Sequence, residues 1–281
     1  MRITSVSLFS NESEAIQFSL RNVSSKSPYM VRTIIGLDAE ELIPKFYRAS
    51  RTGKTKFYDF SLKPRDIVMR IVLTPRFHLD EDYSYVRDAL YRSISATRGG
   101  QVELQFHSGA STVAKIFGFI VKLEVAYFSQ TPELQLTVRC NDPMFRGINP
   151  TIMKAAKLSN TNPIVVADSE STSPHGFKMQ VTFTGTYAQF TVQDKAVDPE
   201  WVFLVVPQTS FLSGDILYFS SEFSNKYLYR VRGGVTTHLL DAIERTSVWP
   251  IIFPGFNSFH FVEKAGFTWN LVQFDSTYWG V

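Results

Sequence analysis

DEDYSYVRDALYRSISATRGGQVELQF, residues Asp80–Phe106, is the stretch whose reading decides the fold. Val86, Ala89, Leu90, Ser93 and Ile94 recur at three- and four-residue spacings. One stripe is therefore apolar or small, while Arg87, Asp88 and Arg92 take other faces, which predicts an amphipathic helix. Asp80, Glu81 and Asp82 put carboxylates where the first unpaired N–H groups need acceptors and the helix dipole favours negative charge. Arg98-Gly99-Gly100 ends the helix, and Val102, Leu104 and Phe106 at once begin a period-two strand. A helix of three to four turns is marginal alone in water, so it has to lay its stripe on a sheet. Burial of Val86, Leu90 and Ile94 contributes at most roughly 1.5–3 kcal/mol each. The strands expected to supply that sheet are Arg65–Leu73 before the helix and Val102–Phe106 after it.

Outward from the helix, the first half reads as strands. In Arg65–Leu73, Ile67, Met69, Ile71 and Leu73 share one face, and Val68 and Val72 lie beside Arg70 on the other, which predicts cover on both sides. Gln17–Leu20 and Met30–Ile34 are strands, and Gly36-Leu37-Asp38 is a turn. Thr112–Phe128 is a long extended stretch. Leu134, Leu136, Val138 and Cys140 alternate with Gln135, Thr137 and Arg139, which places Cys140 as a buried, inert thiol. Lys45, Arg48, Arg51, Lys54 and Lys56 form a basic run without an acid. It reads as a solvated loop or hairpin arm, with contact to nucleic acid or an acidic partner as the other reading. Gly53-Lys54-Thr55 is no phosphate loop, because Arg48 stands where the earlier glycine is required.

Proline, glycine and asparagine cluster where periodicity stops, at residues 144–162, which sets a boundary near 150 and domains of 1–150 and 151–281. Beyond it, eight short strands follow at close intervals: Ile164–Val166, Phe177–Phe183, Ala188–Val192, Trp201–Val206, Ile216–Phe219, Tyr227–Val231, Phe259–Val262 and Phe267–Val272. They predict a β-sandwich of jelly-roll type, with a hairpin turn at Gly233-Gly234. Composition agrees: 44% hydrophobic, 20% charged, with 24 Phe and 12 Tyr among 281 residues, is the profile of a folded, mainly β chain. The net charge of +3 is too small to signal a nucleic-acid binder. It is unevenly spread, with 20 basic against 15 acidic residues in 1–148 and 9 against 11 in 149–281. The single cysteine excludes an internal disulfide and a cysteine-based zinc site. The first residues lack a basic-then-apolar leader and no run reaches membrane-spanning length, so a chain made and folded in a cytoplasm, without membrane insertion, is expected.

Catalytic patterns are missing. None of the five histidines pairs with another histidine or a carboxylate at metal-ligand spacing. Gly109-Ala110-Ser111-Thr112-Val113 has valine where a nucleophile elbow needs glycine, and Asp80, Glu81 and Asp82 are accounted for by capping. No enzymatic activity, cofactor or metal is expected. Of the late aromatics Trp249, Trp269, Tyr278 and Trp279, the two singled out for binding are Trp269 and Trp279, as a sugar-stacking platform or a partner contact. Core and interface packing is the plainer reading of the set.

Gly36-Leu37-Asp38, the Arg65-Asp66 strand, the helix with its Arg98-Gly99-Gly100 stop, Leu136-Thr137-Val138-Arg139-Cys140-Asn141-Asp142-Pro143 and Trp249-Pro250-Ile251-Ile252-Phe253-Pro254-Gly255-Phe256-Asn257 follow in an order that resembles the distal tail protein (Dit) family of long-tailed, siphovirus-type bacteriophages. The resemblance covers most of residues 30–147 and about 227–262. It implies a non-enzymatic virion protein with a β-sandwich-like, ring-forming N-terminal domain carrying one α-helix, and a galectin-like C-terminal β-sandwich. It further implies a homo-hexamer at the tail tip, assembled in the host cytoplasm, around a channel through which DNA passes without sequence-specific binding. Its partners would be the tail tube protein, the baseplate hub or tail-associated protein and the tape-measure protein. Strands such as Val102–Phe106 and Thr112–Phe128 are expected to need partners at their edges, which a closed ring of copies would offer. The alternative function is a carbohydrate-binding protein that recognises host cell-surface glycans through residues 151–281.

Overall fold

The computed structural model describes residues 3–10, 13–20, 27–39, 42–48, 55–75, 81–97, 99–125, 132–154, 164–194, 201–223, 225–262 and 267–281. Asp80, Arg98 and the basic Arg51 and Lys54 lie outside them, as do residues 155–162 of the stretch read as a linker. The chain forms two compact units. The first comprises Met1–Glu41, Leu62–Ile148 and Tyr278–Val281, and the second Leu42–Ser61 and Asn149–Thr277.

The first unit is a closed seven-stranded barrel. Around it run Ser111–Val125, Val102–Ser108, Ser5–Ser10, Ser13–Leu20, Tyr29–Ile35, Arg65–Leu73 and Glu133–Cys140. One long strand closes it: Ser111–Gly118 pairs with Val102–Ser108, and Phe119–Val125 pairs with Leu134–Arg139. All contacts around the ring of strands are antiparallel except Ser13–Leu20 beside Tyr29–Ile35. Period-two alternation sends Val6, Leu8, Phe18, Ile67, Met69, Leu104, Phe106, Leu136 and Val138 into one core. Within the chain, Val102–Ser108 pairs on both sides, with Ser5–Ser10 and Ser111–Gly118, whereas each half of Ser111–Val125 pairs with one barrel strand and Lys115 adds a bridge to Arg146.

The helix spans Tyr83–Thr97. Asp82 caps it, its Oδ1 accepting the Tyr85 N–H at 2.6 Å and the Ser84 hydroxyl at 2.8 Å. Those bonds, the Tyr85 N–H foremost, hold the Asp82 carboxyl below the usual carboxylate range. Gly99 follows with a φ of 92°, the left-handed conformation that turns the chain away from the helix. Val86, Leu90 and Ile94 are buried in the barrel core, and the helix packs on Ser13–Leu20 and Arg65–Leu73. Arg65–Leu73 is covered on one face only along part of its length, since outward-facing Val68 is half-buried and Arg70 is exposed.

The second unit is a β-sandwich. Its six-stranded sheet runs Thr151–Lys154, Phe267–Phe274, Lys178–Phe183, Ile216–Ser220, Tyr227–Arg232, Val235–His238. The four-stranded sheet runs Ile164–Asp168, Gly255–Phe261, Phe190–Asp194, Val202–Val205. Alternate residues of both sheets meet in a phenylalanine-rich core, in which Phe183 stacks on Phe211 with ring centroids 4.3 Å apart. Thr151–Lys154 is thus a strand inside the proline- and asparagine-rich stretch, paired with Phe274–Leu271. Leu42–Arg48 and Thr55–Leu62 pair as a separate two-stranded sheet, which carries Lys45, Arg48 and Lys56 of the basic run.

Leu90 is 1% exposed in a close-packed core. Leu90→Asp buries an unpaired carboxylate there, and a loss above about 4 kcal/mol is expected. Thermal unfolding of the purified variant checks it; a melting temperature equal to wild type would mean the stripe is not buried.

Candidate functional site

Arg65 opens its strand in phase with Ile67, Met69 and Ile71, so the pleat aims a guanidinium inward, and its side chain is fully buried. The barrel receives the charge with main-chain oxygens. Nη1 donates to the carbonyls of Gly36 at 2.8 Å and Asp38 at 2.7 Å, and Nη2 to the carbonyl of Trp279 at 2.8 Å. The Phe145 ring lies beneath, 4.7 Å from Cζ. This centre gathers the turn 36–38, the strand Phe145–Arg146 and the last residues of the sequence. Gly36 has a φ of 92°, and a side chain there would collide with the Asp66 carbonyl, so the turn passes close enough only as glycine. Nothing in the sequence reading assigned Arg65 this role; the available signal was an arginine on the apolar phase of a strand.

Cys140, paired across from Arg65, is buried, and burial pushes its thiol up to about 12, which removes it as a nucleophile at neutral pH. His107 joins two hydroxyls, Ser7 Oγ at 2.8 Å on Nε2 and Thr112 Oγ1 at 3.1 Å on Nδ1, and burial lowers its pKa. With a threonine rather than a carboxylate behind it, this histidine lacks the acid that stabilises an imidazolium, so the arrangement serves to link neighbouring strands. A groove of about 550 Å³ in the first unit is lined by Arg70, Tyr91, Glu124, Glu133 and Leu134 among others. Its acids are engaged: Glu133 by Arg32 at 2.7 Å and Glu124 by Lys122 at 2.6 Å. Among the described residues no group of three metal-ligating side chains occurs, and no helix is long and apolar enough to cross a membrane.

The two tryptophans singled out for binding belong to different units. Trp279 is half-buried and contributes its main-chain carbonyl to Arg65. Trp269 lies in Phe267–Phe274, with its backbone opposite Val181, and its side chain is outside the described residues. Trp249 packs on the second core, its ring 5.0 Å from Phe203 and 5.5 Å from Phe219.

No family model and no curated protein sequence matches the chain. Solved structures do match its fold. The SPP1 Dit (gp 19.1) protein, described as a paradigm of the hub adsorption apparatus in phages that infect Gram-positive bacteria, aligns with a TM-score of 0.59 at 11% identity, over 97% of this chain and 98% of that one. Two structures of the phage p2 baseplate in its activated conformation align less closely. With Sr the TM-score is 0.40 at 9% identity over 95% and 97% of the two chains, and with Ca it is 0.42 at 8% over 99% and 98%. The barrel with one helix followed by a sandwich is therefore a mainly β fold shared with SPP1 Dit from end to end.

Arg65→Met strands three part-buried carbonyls without their donor, at about 1–3 kcal/mol each where water cannot replace it. A loss of at least about 3 kcal/mol in chemical denaturation is expected, with Arg65→Lys recovering only part, since one ammonium cannot reproduce the planar fork. Wild-type stability in Arg65→Met would refute this role.

Proposed function

We propose that this chain is a structural protein of a bacteriophage tail tip or baseplate, acting as a ring that joins the tail tube to the hub. The observation that carries the reading is the alignment with SPP1 Dit, which runs through both units and leaves almost none of either chain unmatched. On this reading the N-terminal region, residues 1–150, forms a homo-hexameric ring around a channel that DNA crosses without sequence-specific contact. The C-terminal region, residues 151–281, is the galectin-like domain. The tail tube protein, the hub or tail-associated protein and the tape-measure protein are its partners, and the assembly is made in the host cytoplasm and resides in the virion. The chemistry of the described residues supports a scaffold: the buried arginine binds main-chain oxygens, the thiol is silenced by burial, and the His107 imidazole links strands.

On this reading ring contacts draw on outward side chains, on the segments outside the barrel, or on Ser111–Val125, whose two halves each pair with one barrel strand. Native mass spectrometry and negative-stain electron microscopy of the full chain, alone and with the tail tube and hub proteins of the same phage, test the proposal. Six-fold rings are expected. A protein that stays monomeric at high concentration and with both partners would overturn it.

A further inference from the structure

Asp168 and His175 face each other inside the second unit, both almost fully buried. His175 Nε2 and Asp168 Oδ2 are 3.5 Å apart, and neither atom has a hydrogen-bond partner. The rest of each group is committed. Asp168 Oδ1 accepts the backbone N–H groups of Glu170 and Ser171 at 3.3 and 3.1 Å. His175 Nδ1 lies 3.3 Å from the Ser173 carbonyl, which can only accept, so the ring proton sits on Nδ1 and a neutral imidazole presents a bare lone pair to the carboxylate.

We propose that Asp168 and His175 form a one-proton site that makes the second unit acid-responsive: the pair is empty at neutral pH, and acidification places a proton between Nε2 and Oδ2. The site ties three stretches of chain together. Asp168 ends the strand Ile164–Asp168, and His175 exchanges both backbone bonds with Ile252, at 2.9 and 2.8 Å. Thr277 donates its N–H to Ser171 Oγ at 2.9 Å and shares a hydroxyl bond with Ser173 at 2.7 Å. The charged groups bearing on the imidazole are Asp168 beside it and Asp275 from the stretch after Phe267–Phe274, with Glu170 following Asp168 in its turn. The Phe274 ring lies 5.4 Å away, and Pro250–Pro254 brings no titratable residue.

Burial holds the His175 pKa below the ordinary histidine value, and Asp168 opposes it. The unfolded chain, with histidine near ~6.5, thus takes up the proton first. Stability contributed by the neutral imidazole is present above that value and is lost as pH falls from it toward the folded pKa.

Asp168→Asn separates the site from a merely packed pair. The amide oxygen can keep the Glu170 and Ser171 N–H groups while its NH₂ donates to the bare Nε2, turning two facing acceptors into a hydrogen bond. For the full chain at pH 8, a melting temperature about 2–4 °C above wild type is expected. The gap should shrink toward pH 5, as wild type gains its proton before the variant does, and no such pH-dependent gap should separate His175→Gln from His175→Gln/Asp168→Asn. Nitrogen-15 NMR of wild type should show the Nδ1–H tautomer at pH 8 and imidazolium on acidification. A gap constant from pH 8 to 5, or an imidazolium already present at pH 8, would overturn the proposal. If the variant fails to fold, the wild-type NMR titration decides alone.

Discussion

The first unit depends on a buried positive charge. A guanidinium on the inward phase of a barrel strand is costly unless its donors find acceptors, and the two Nη groups of Arg65 find carbonyls in two remote places. One is the turn at Gly36–Asp38, and the other is Trp279, 214 residues away in sequence. Val281 adds a bond from its N–H to the Leu37 carbonyl at 3.2 Å. The barrel is consequently discontinuous in sequence, with the main segment of the second unit inserted between Ile148 and Tyr278. Bringing such distant segments together costs only slowly more entropy as the intervening chain lengthens, so a few charge-assisted bonds can hold the return in place.

What the sequence made legible follows from periodicity. The Val86–Leu90–Ile94 stripe identified a helix and its buried face, and the alternation in Leu134–Cys140 placed every inward residue of that strand. The phenylalanine-rich second half read as a sandwich because its strands are short, regular and alternate. What stayed hidden is what periodicity does not encode. Ser5–Ser10 offers only Val6, Leu8 and Phe9 between serines, too little pattern for a strand that pairs on both sides in the barrel. Closure depends on one strand changing partners at Gly118–Phe119, a fact of pairing rather than composition. Arg65 was hidden by its own chemistry, since an arginine at a strand end reads as solvated until its acceptors are known.

Charge is handled differently on the two faces of the barrel wall. Outside, Arg139 and Asp66 meet in a two-bonded pair at 2.8 Å across neighbouring strands, half-exposed, where solvent screening leaves little net stabilisation. One residue away along the same strand, Arg65 is buried among carbonyls and a ring, and removing its donors would leave three part-buried acceptors without them. The second unit has a third arrangement in the Asp168–His175 pair, where two acceptors face each other. Three ionic environments within one chain thus range from screened, through bonded to main-chain carbonyls, to two facing acceptors.

The nature of the Arg65 acceptors also explains how such a fold can persist with little sequence in common. A main-chain carbonyl is the same whichever side chain follows it, so Asp38 and Trp279 are fixed at this centre by position and not by chemistry. Only close backbone approach fixes identity: Gly36 passes against Asp66, and a side chain on Gly280 would run into the Leu37 carbonyl. The barrel wall adds a pattern of apolar and polar phases that many sequences satisfy. A scaffold built this way constrains a few glycines, one arginine and a periodicity. An identity of 11% over nearly the whole of two chains is then compatible with one shared architecture.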